Sequence, residues 1–168
     1  MKLNLKKLSI DDGRIIYDML QEIESSDNGF HNDVKGMSYD EYKIWLRKNA
    51  DMSEGIKLEE WMVPQTSYWL FFDETPVGYG RIRHFLNDNL EANSGHIGYA
   101  IPSSHRGKGY GNELLALLLK ECDKLKIPTV QIGANKNNER SNKVIVNNGG
   151  ILAKETSTKN IYHIYRML

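Results

Sequence analysis

A single cysteine, Cys122, is the only thiol in this chain of 168 residues, which excludes an intramolecular disulfide and a cysteine-built zinc cluster. It stands among Leu118, Leu119 and Leu125, so packing is its expected role rather than nucleophilic chemistry. A charge excess is missing as well: 22 Lys and Arg balance 22 Asp and Glu, and nothing favours nucleic acid or an anionic membrane as a partner. No apolar stretch approaches the length of a membrane span, and Met1-Lys-Leu-Asn-Leu-Lys-Lys7 lacks the apolar core of a secretory signal. The expectation is a cytoplasmic protein without membrane attachment. Internal repeats and low-complexity tracts are also absent, and 40% hydrophobic residues at this length suffice for the core of one domain, residues 1–168.

What the chain does have is the run Arg106-Gly-Lys-Gly-Tyr-Gly111. It lies between a strand-like segment, His96 to Ile101, and a strongly helical one, Asn112 to Lys126. Arg106, Gly107, Lys108, Gly109, Tyr110 and Gly111 in that setting make a phosphate cradle. The glycines let backbone N–H groups converge, the following helix adds the positive end of its dipole, and Arg106 and Lys108 add full charges. Two rival glycine loops fail on their residues. A Walker A loop needs Gly-Lys-Ser/Thr at its end, whereas Gly111 is followed by Asn112-Glu113. A dinucleotide fingerprint needs a different glycine spacing from that of Gly107, Gly109 and Gly111. A plain helix-capping turn is the remaining alternative.

Arg106-x-x-Gly109-x-Gly111 resembles the acyl-CoA signature of the GNAT superfamily of acyl-CoA-dependent N-acetyltransferases. Asn138-Glu-Arg-Ser141, with Asn148-Gly149-Gly150 downstream, resembles the family's Asn-x-x-Ser/Ala helix and its terminal glycine. His96-Ile-Gly-Tyr99 resembles a Glu-Ile-Gly-Tyr strand found in branches that acetylate protein N-termini and small amines. The likeness runs from about Tyr68 to the C-terminus, and before that only in general layout. It implies an α+β (mixed α/β) three-layer fold, in which a central, mostly antiparallel mixed sheet with splayed parallel strands carries helices on both faces. It also implies acetyl-CoA as co-substrate and an amine acceptor. A homodimer is common in the family, but no exposed strand here compels it.

The remaining segments fit that layout. Leu3-Asn-Leu5 reads as an edge strand, after which Asp11 or Asp12 caps a helix carrying Ile15, Ile16, Met19, Leu20 and Ile23. Ser25 to Gly36 is polar and reads as a loop, and Ser38-Tyr-Asp-Glu41 reads as a capping box opening a second helix with Tyr42, Trp45 and Leu46 inward. Tyr68 to Phe72 and Val77 to Arg83 form an antiparallel hairpin around the turn Asp73 to Pro76. Beyond the helix that bears Leu114, Leu115, Leu118, Leu119 and Cys122, Pro128 marks entry into a strand with Val130 and Ile132, completing a crossover between parallel strands. Asn138 to Asn148 reads as a helix capped by Gly149, and Ile151 to Lys154 with Ile161 to Met167 as a closing antiparallel pair.

By the resemblance, the loop amides hold the CoA diphosphate, the backbone of Tyr99 to Ile101 pairs with the pantetheine arm, and Asn138 meets it, with Ser141 a further contact or a helix cap. A thioester is already activated, so positioning outweighs covalent chemistry, and the obstacle is the ammonium proton: removing it near neutral pH costs about 4 to 5 kcal/mol for a lysine-like amine. His96, standing where the family strand has a carboxylate, is the expected general base, with a packed and hydrogen-bonded histidine as the alternative. His84 is a second candidate base. Neither histidine is accompanied by an acid pattern that makes a metal site, and no metal is expected. Many family members have a helix Tyr that protonates the leaving thiolate, and the matching residue here is Ile145. Two further readings stay open: a non-catalytic acyl-CoA-binding or sensor module, and a phosphate-binding interaction domain unrelated to CoA.

Overall fold

The computed structural model describes residues 2–168. β1 (Leu3–Lys7) leads to α1 (Arg14–Gln21), a small hairpin of β2 (Ser26–Asp27) and β3 (Phe30–His31), and α2 (Tyr39–Ser53). Then come β4 (Gln65–Phe72), β5 (Thr75–Arg83), the short α3 (Asp88–Asn93), β6 (Ile97–Ala100), α4 (Tyr110–Lys124), β7 (Thr129–Asn135), α5 (Glu139–Asn147), β8 (Ile151–Glu155) and β9 (Lys159–Tyr165).

Apart from the β2–β3 hairpin, the strands form two sheets ordered β1-β4-β5-β6 and β7-β9-β8, and every ladder is antiparallel. Helices cover both faces because the strands alternate. Leu70 and Ile82 point into a core shared with Leu114, Leu115 and Leu118 of α4, whereas Trp69 and Tyr79 point to the opposite face, among Ile16, Leu20, Tyr42 and Leu46 of α1 and α2. The capping box at the start of α2 is complete: Glu41 N–H donates to Ser38 Oγ at 3.1 Å, and Ser38 N–H to the Glu41 carboxylate at 2.9 Å. α5 ends as expected at Gly149, in the left-handed region at φ 93°.

Three local expectations need correcting. Gly13, not Asp11 or Asp12, sits at the N-cap of α1, and no side chain caps it. Asp12 is instead buried and spans two elements, accepting from Ser9 N–H and Trp69 Nε1–H, each at 2.8 Å. Ser25 to Gly36 is no plain loop, since Asn28 and Gly29 take φ 52° and 90° and turn the β2–β3 hairpin, whose Phe30 is buried. The expected parallel pairing of β6 with β7 contracts to one point. His96 N–H donates to the Gln131 carbonyl at 2.7 Å, and beyond it the two strands belong to separate sheets.

Candidate functional site

That single point is the apex of a wedge. A Cβ on Gly95 would lie 2.3 Å from the Gln131 carbonyl oxygen, so only glycine allows the strands to approach this closely. From there β6 and β7 part, and the gap opens into a cleft of about 510 Å³. One wall is Ile97 to Ile101 on β6, the other Ile132 to Asn135 on β7, and Phe30 and His31 of the small hairpin also line it.

The glycine loop closes one end. A 3₁₀ turn, Ser103–His105, brings the chain off β6; Gly107 and Gly109 then adopt φ 78° and 81°, with nothing within 4 Å of where a side chain would be. Gly109 is the N-cap of α4 and provides no side-chain acceptor. Among the described residues no acceptor is found for the amides of Gly107 to Asn112. Six successive donors thus meet the positive end of a helix of 15 residues, the arrangement that binds phosphate oxygens.

Of the residues singled out from the sequence, His96, Tyr99, Ile101, Arg106, Gly107, Gly109, Tyr110, Gly111, Asn138 and Ser141 all line this one cleft. Lys108 is exposed and is not among the lining residues. Arg106 does not offer a free charge. Its guanidinium donates to the Asp27 carboxylate at 2.8 Å and to the Ile101 carbonyl at 2.9 Å, tying the hairpin to the loop.

A family model described as an acetyltransferase (GNAT) domain matches residues 2–151. The chain belongs to the GNAT acetyltransferase family. Solved structures agree on the fold at low identity. The chain superposes with a TM-score of 0.74 and 16% identity on RimL, a ribosomal L7/L12 alpha-N-protein acetyltransferase in complex with coenzyme A, covering 98% of this chain and 94% of that one. For the ribosomal-protein-S5-alanine acetyltransferase of Vibrio fischeri the values are 0.72 and 12%, over 98% and 93%. For the Campylobacter jejuni N-acetyltransferase PseH, in complex with acetyl coenzyme A, they are 0.66 and 14%, over 99% and 100%. A search of the curated proteins finds no match.

Within this GNAT fold the expectation for His96 needs correction. The Gln131 N–H donates to its Nδ1 at 3.0 Å, so the lone pair a base requires is engaged with backbone, and the neutral ring carries its proton on Nε2. Burial, then the Arg83 and His163 charges, push its pKa down to about 4. His96 therefore stays neutral at physiological pH and pins the wedge at its apex, with Gln131 in turn held by the Glu91 and Ser94 carbonyls at 2.7 and 2.8 Å. His84 faces Thr66, with its Nε2 2.7 Å from Oγ1, and burial lowers its pKa. Among the described residues no group of three or more His, Cys, Asp or Glu is placed to hold a metal.

Ile145, at the position of the family's helix Tyr, is fully buried. Two phenols meet that helix: the Tyr162 hydroxyl donates to Asn142 Oδ1 at 2.6 Å, and the hydroxyl of Tyr99, which lines the cleft, lies 3.1 Å from Ser141 Oγ, with burial raising the Tyr99 pKa. Asn138 caps α5 by accepting from Ser141 N–H at 3.2 Å. Cys122 is buried, its thiol pushed up to about 12 mainly by burial, and it packs as expected.

Sequence reasoning missed the cations Arg81, Arg83, Arg140, Lys143 and Lys159, which also line the cleft. Arg81 and Arg83 were read only as strand residues. Their alternation with the buried Ile82 was the available signal, since it sets both on the other face of β5.

Proposed function

We propose that this protein transfers an acetyl group from acetyl-CoA to a primary amine by direct attack in a ternary complex. The observation that carries this reading is the continuity of two unfilled hydrogen-bonding surfaces: the amide run Gly107 to Asn112 opens into the same cleft as the unladdered edge of β6. A diphosphate satisfies the first, and an extended amide-bearing arm such as pantetheine satisfies the second as an added strand. The relatives whose structures hold coenzyme A or acetyl coenzyme A share this fold.

With the thioester lodged there, its carbonyl lies toward the apex of the wedge. The acceptor ammonium first gives one proton to solvent; the free amine nitrogen then attacks the carbonyl carbon, a C–N bond forms, the C–S bond breaks, and the nitrogen's second proton balances the one taken up by the leaving thiolate. A β6 backbone N–H near Tyr99 to Ile101 stabilises the oxyanion. Water in the cleft takes the proton, since His96 has no free lone pair. Tyr99, which lines the cleft and is kept protonated by burial, passes a proton to the departing thiolate and is reprotonated from the cleft water.

The test follows free thiol while the protein meets acetyl-CoA and a broad panel of amines. Amine-dependent, saturable thiol release supports transfer; saturable acetyl-CoA binding without release from any amine supports a sensor instead. Thermal stabilisation by CoA but not by ATP or NAD separates both from a general phosphate-binding domain.

A further inference from the structure

The apex end of the cleft has a charge pattern that the cofactor does not account for. Arg81 stands opposite Gly98 in the β5–β6 register, nearer the apex than the Tyr99 to Ile101 backbone expected to pair with the pantetheine arm, and Arg83 lies nearer still. The Arg81 guanidinium forms no hydrogen bond or ion pair among the described residues and rests on the Phe30 ring at 4.1 Å from the centroid. That ring lies against β6, since a Cβ on Gly98 would come within 3.2 Å of it. Arg83 donates to Ser94 Oγ and the Gly95 carbonyl, at 3.0 and 2.8 Å, and has no carboxylate partner among the described residues. Lys159 lines the cleft as well, donating to the Asn93 carbonyl at 3.1 Å. Asp27 is the only carboxylate among the lining residues, and Arg106 holds it at 2.8 Å on the loop side.

Two neighbouring half-buried guanidiniums without a counter-ion are a poor place for a bare ammonium, and a polycationic acceptor is repelled. A planar fork of N–H donors held on an aromatic face matches a carboxylate or phosphate. Burial and the nearby Arg81 charge lower the pKa of Arg83, as expected where an anion is missing.

We propose that the acceptor is an amine whose own molecule carries an anionic oxygen group, a carboxylate or a phosphate, which Arg81 grips while the amine is turned toward the thioester. Arg83 holds the Ser94–Gly95 turn and contributes field rather than direct contact. The proposal rests on the transferase reading above and narrows its substrate class.

The experiment compares matched amines that differ in the anion: L-leucine with 3-methylbutylamine, L-phenylalanine with 2-phenylethylamine, and 2-aminoethyl phosphate with ethanolamine. The readout is the ratio of kcat/KM within each pair, for wild type, Arg81→Gln and Arg81→Lys. The expected result is a ratio favouring at least one anionic member, a fall of about tenfold or more in that ratio in Arg81→Gln, and partial recovery in Arg81→Lys. The carboxylate and phosphate pairs show which oxyanion is used. Uncharged amines preferred throughout, with ratios indifferent to Arg81→Gln, overturn the proposal and leave the transferase intact. If acetyl-CoA binds but no amine releases thiol, the transferase reading fails, and calorimetry of L-leucine and 2-aminoethyl phosphate on the CoA-loaded protein decides the anion site. Binding lost in Arg81→Gln supports it, and no binding to wild type overturns it.

Discussion

Replacing His96 with Asn separates a strut from a base. Asn offers a side-chain oxygen close to where Nδ1 now accepts from the Gln131 amide, and it does not titrate. In the folded protein the imidazole is pushed from its ordinary 6.5 to about 4, first by burial and then by Arg83 and His163. The unfolded chain takes up a proton as pH falls through about 6.5, while the native state refuses it until about 4, so the stability linked to His96 is complete above the first value and is lost toward the second. A gap of about 2.5 units at 1.36 kcal/mol each sets an upper bound on the order of 3 kcal/mol.

Urea unfolding of both proteins between about pH 7.5 and pH 4.5 reads this out, because groups common to both cancel in the difference. Wild type should lose about 2 to 3 kcal/mol more than His96→Asn over that range, and the variant should keep kcat/KM within about tenfold with the shape of the pH profile unchanged. An acidic limb with a pKa of roughly 6 to 7 that disappears in the variant, together with a ~10²–10⁴-fold loss of rate, is the signature of a general base. That outcome would refute the assignment of His96 as a neutral pin.

Gly109→Ala places a side chain at φ 81°, where a left-handed L-residue is strained by ~1–2 kcal/mol, and calorimetry should show CoA affinity reduced by about tenfold or more as the amides turn away; unchanged affinity would remove the loop from the site. Asp12→Ala leaves the Trp69 indole N–H and the Ser9 amide without their acceptor inside the structure and should cost about 3 kcal/mol in chemical denaturation, with CoA affinity of the folded fraction unaltered. Cys122 should resist iodoacetamide in the native state near neutral pH, its thiol being buried and raised to about 12, and should react at the rate of unfolding once urea is added; rapid native labelling would contradict its enclosure.

Elements with long periodic patterns were legible in advance. β4 and β5 are long runs of strand-forming residues around a turn, α4 repeats leucine on one face, and the α2 capping box is written in four consecutive residues. The glycine loop's shape was legible for the same reason, since the left-handed turns at Gly107 and Gly109 are local backbone geometry. What escaped depends on partners distant in sequence. Arg106 reads as a phosphate cation until the fold brings Asp27 against it from 79 residues away. Asp12 reads as a cap until Trp69, 57 residues on, supplies a donor inside the core. Asn28-Gly29 did carry a local hairpin signal, but only two strand residues flank it on each side, too few for any alternation to register.

The His96 misreading shows most clearly why a motif position does not carry a chemical role with it. Likeness to a Glu-bearing strand places a residue, and an imidazole there has one lone pair to spend. Because Gly95 lets β6 press against Gln131, that lone pair satisfies a backbone amide at the point where the His96 N–H bonds the Gln131 carbonyl across the two sheets. Had the strands stayed in register beyond it, the Gln131 amide would bond a neighbouring carbonyl, and the histidine would be free to take a proton. Splaying the sheet creates the room for a ligand and, at the same residue, removes the base. On the transferase reading proposed above, a wedge-shaped site of this kind relies on aiming an activated thioester at an amine already stripped of its proton, and the proposed grip of Arg81 on an anionic group of the acceptor would serve that aim by fixing the part that does not react.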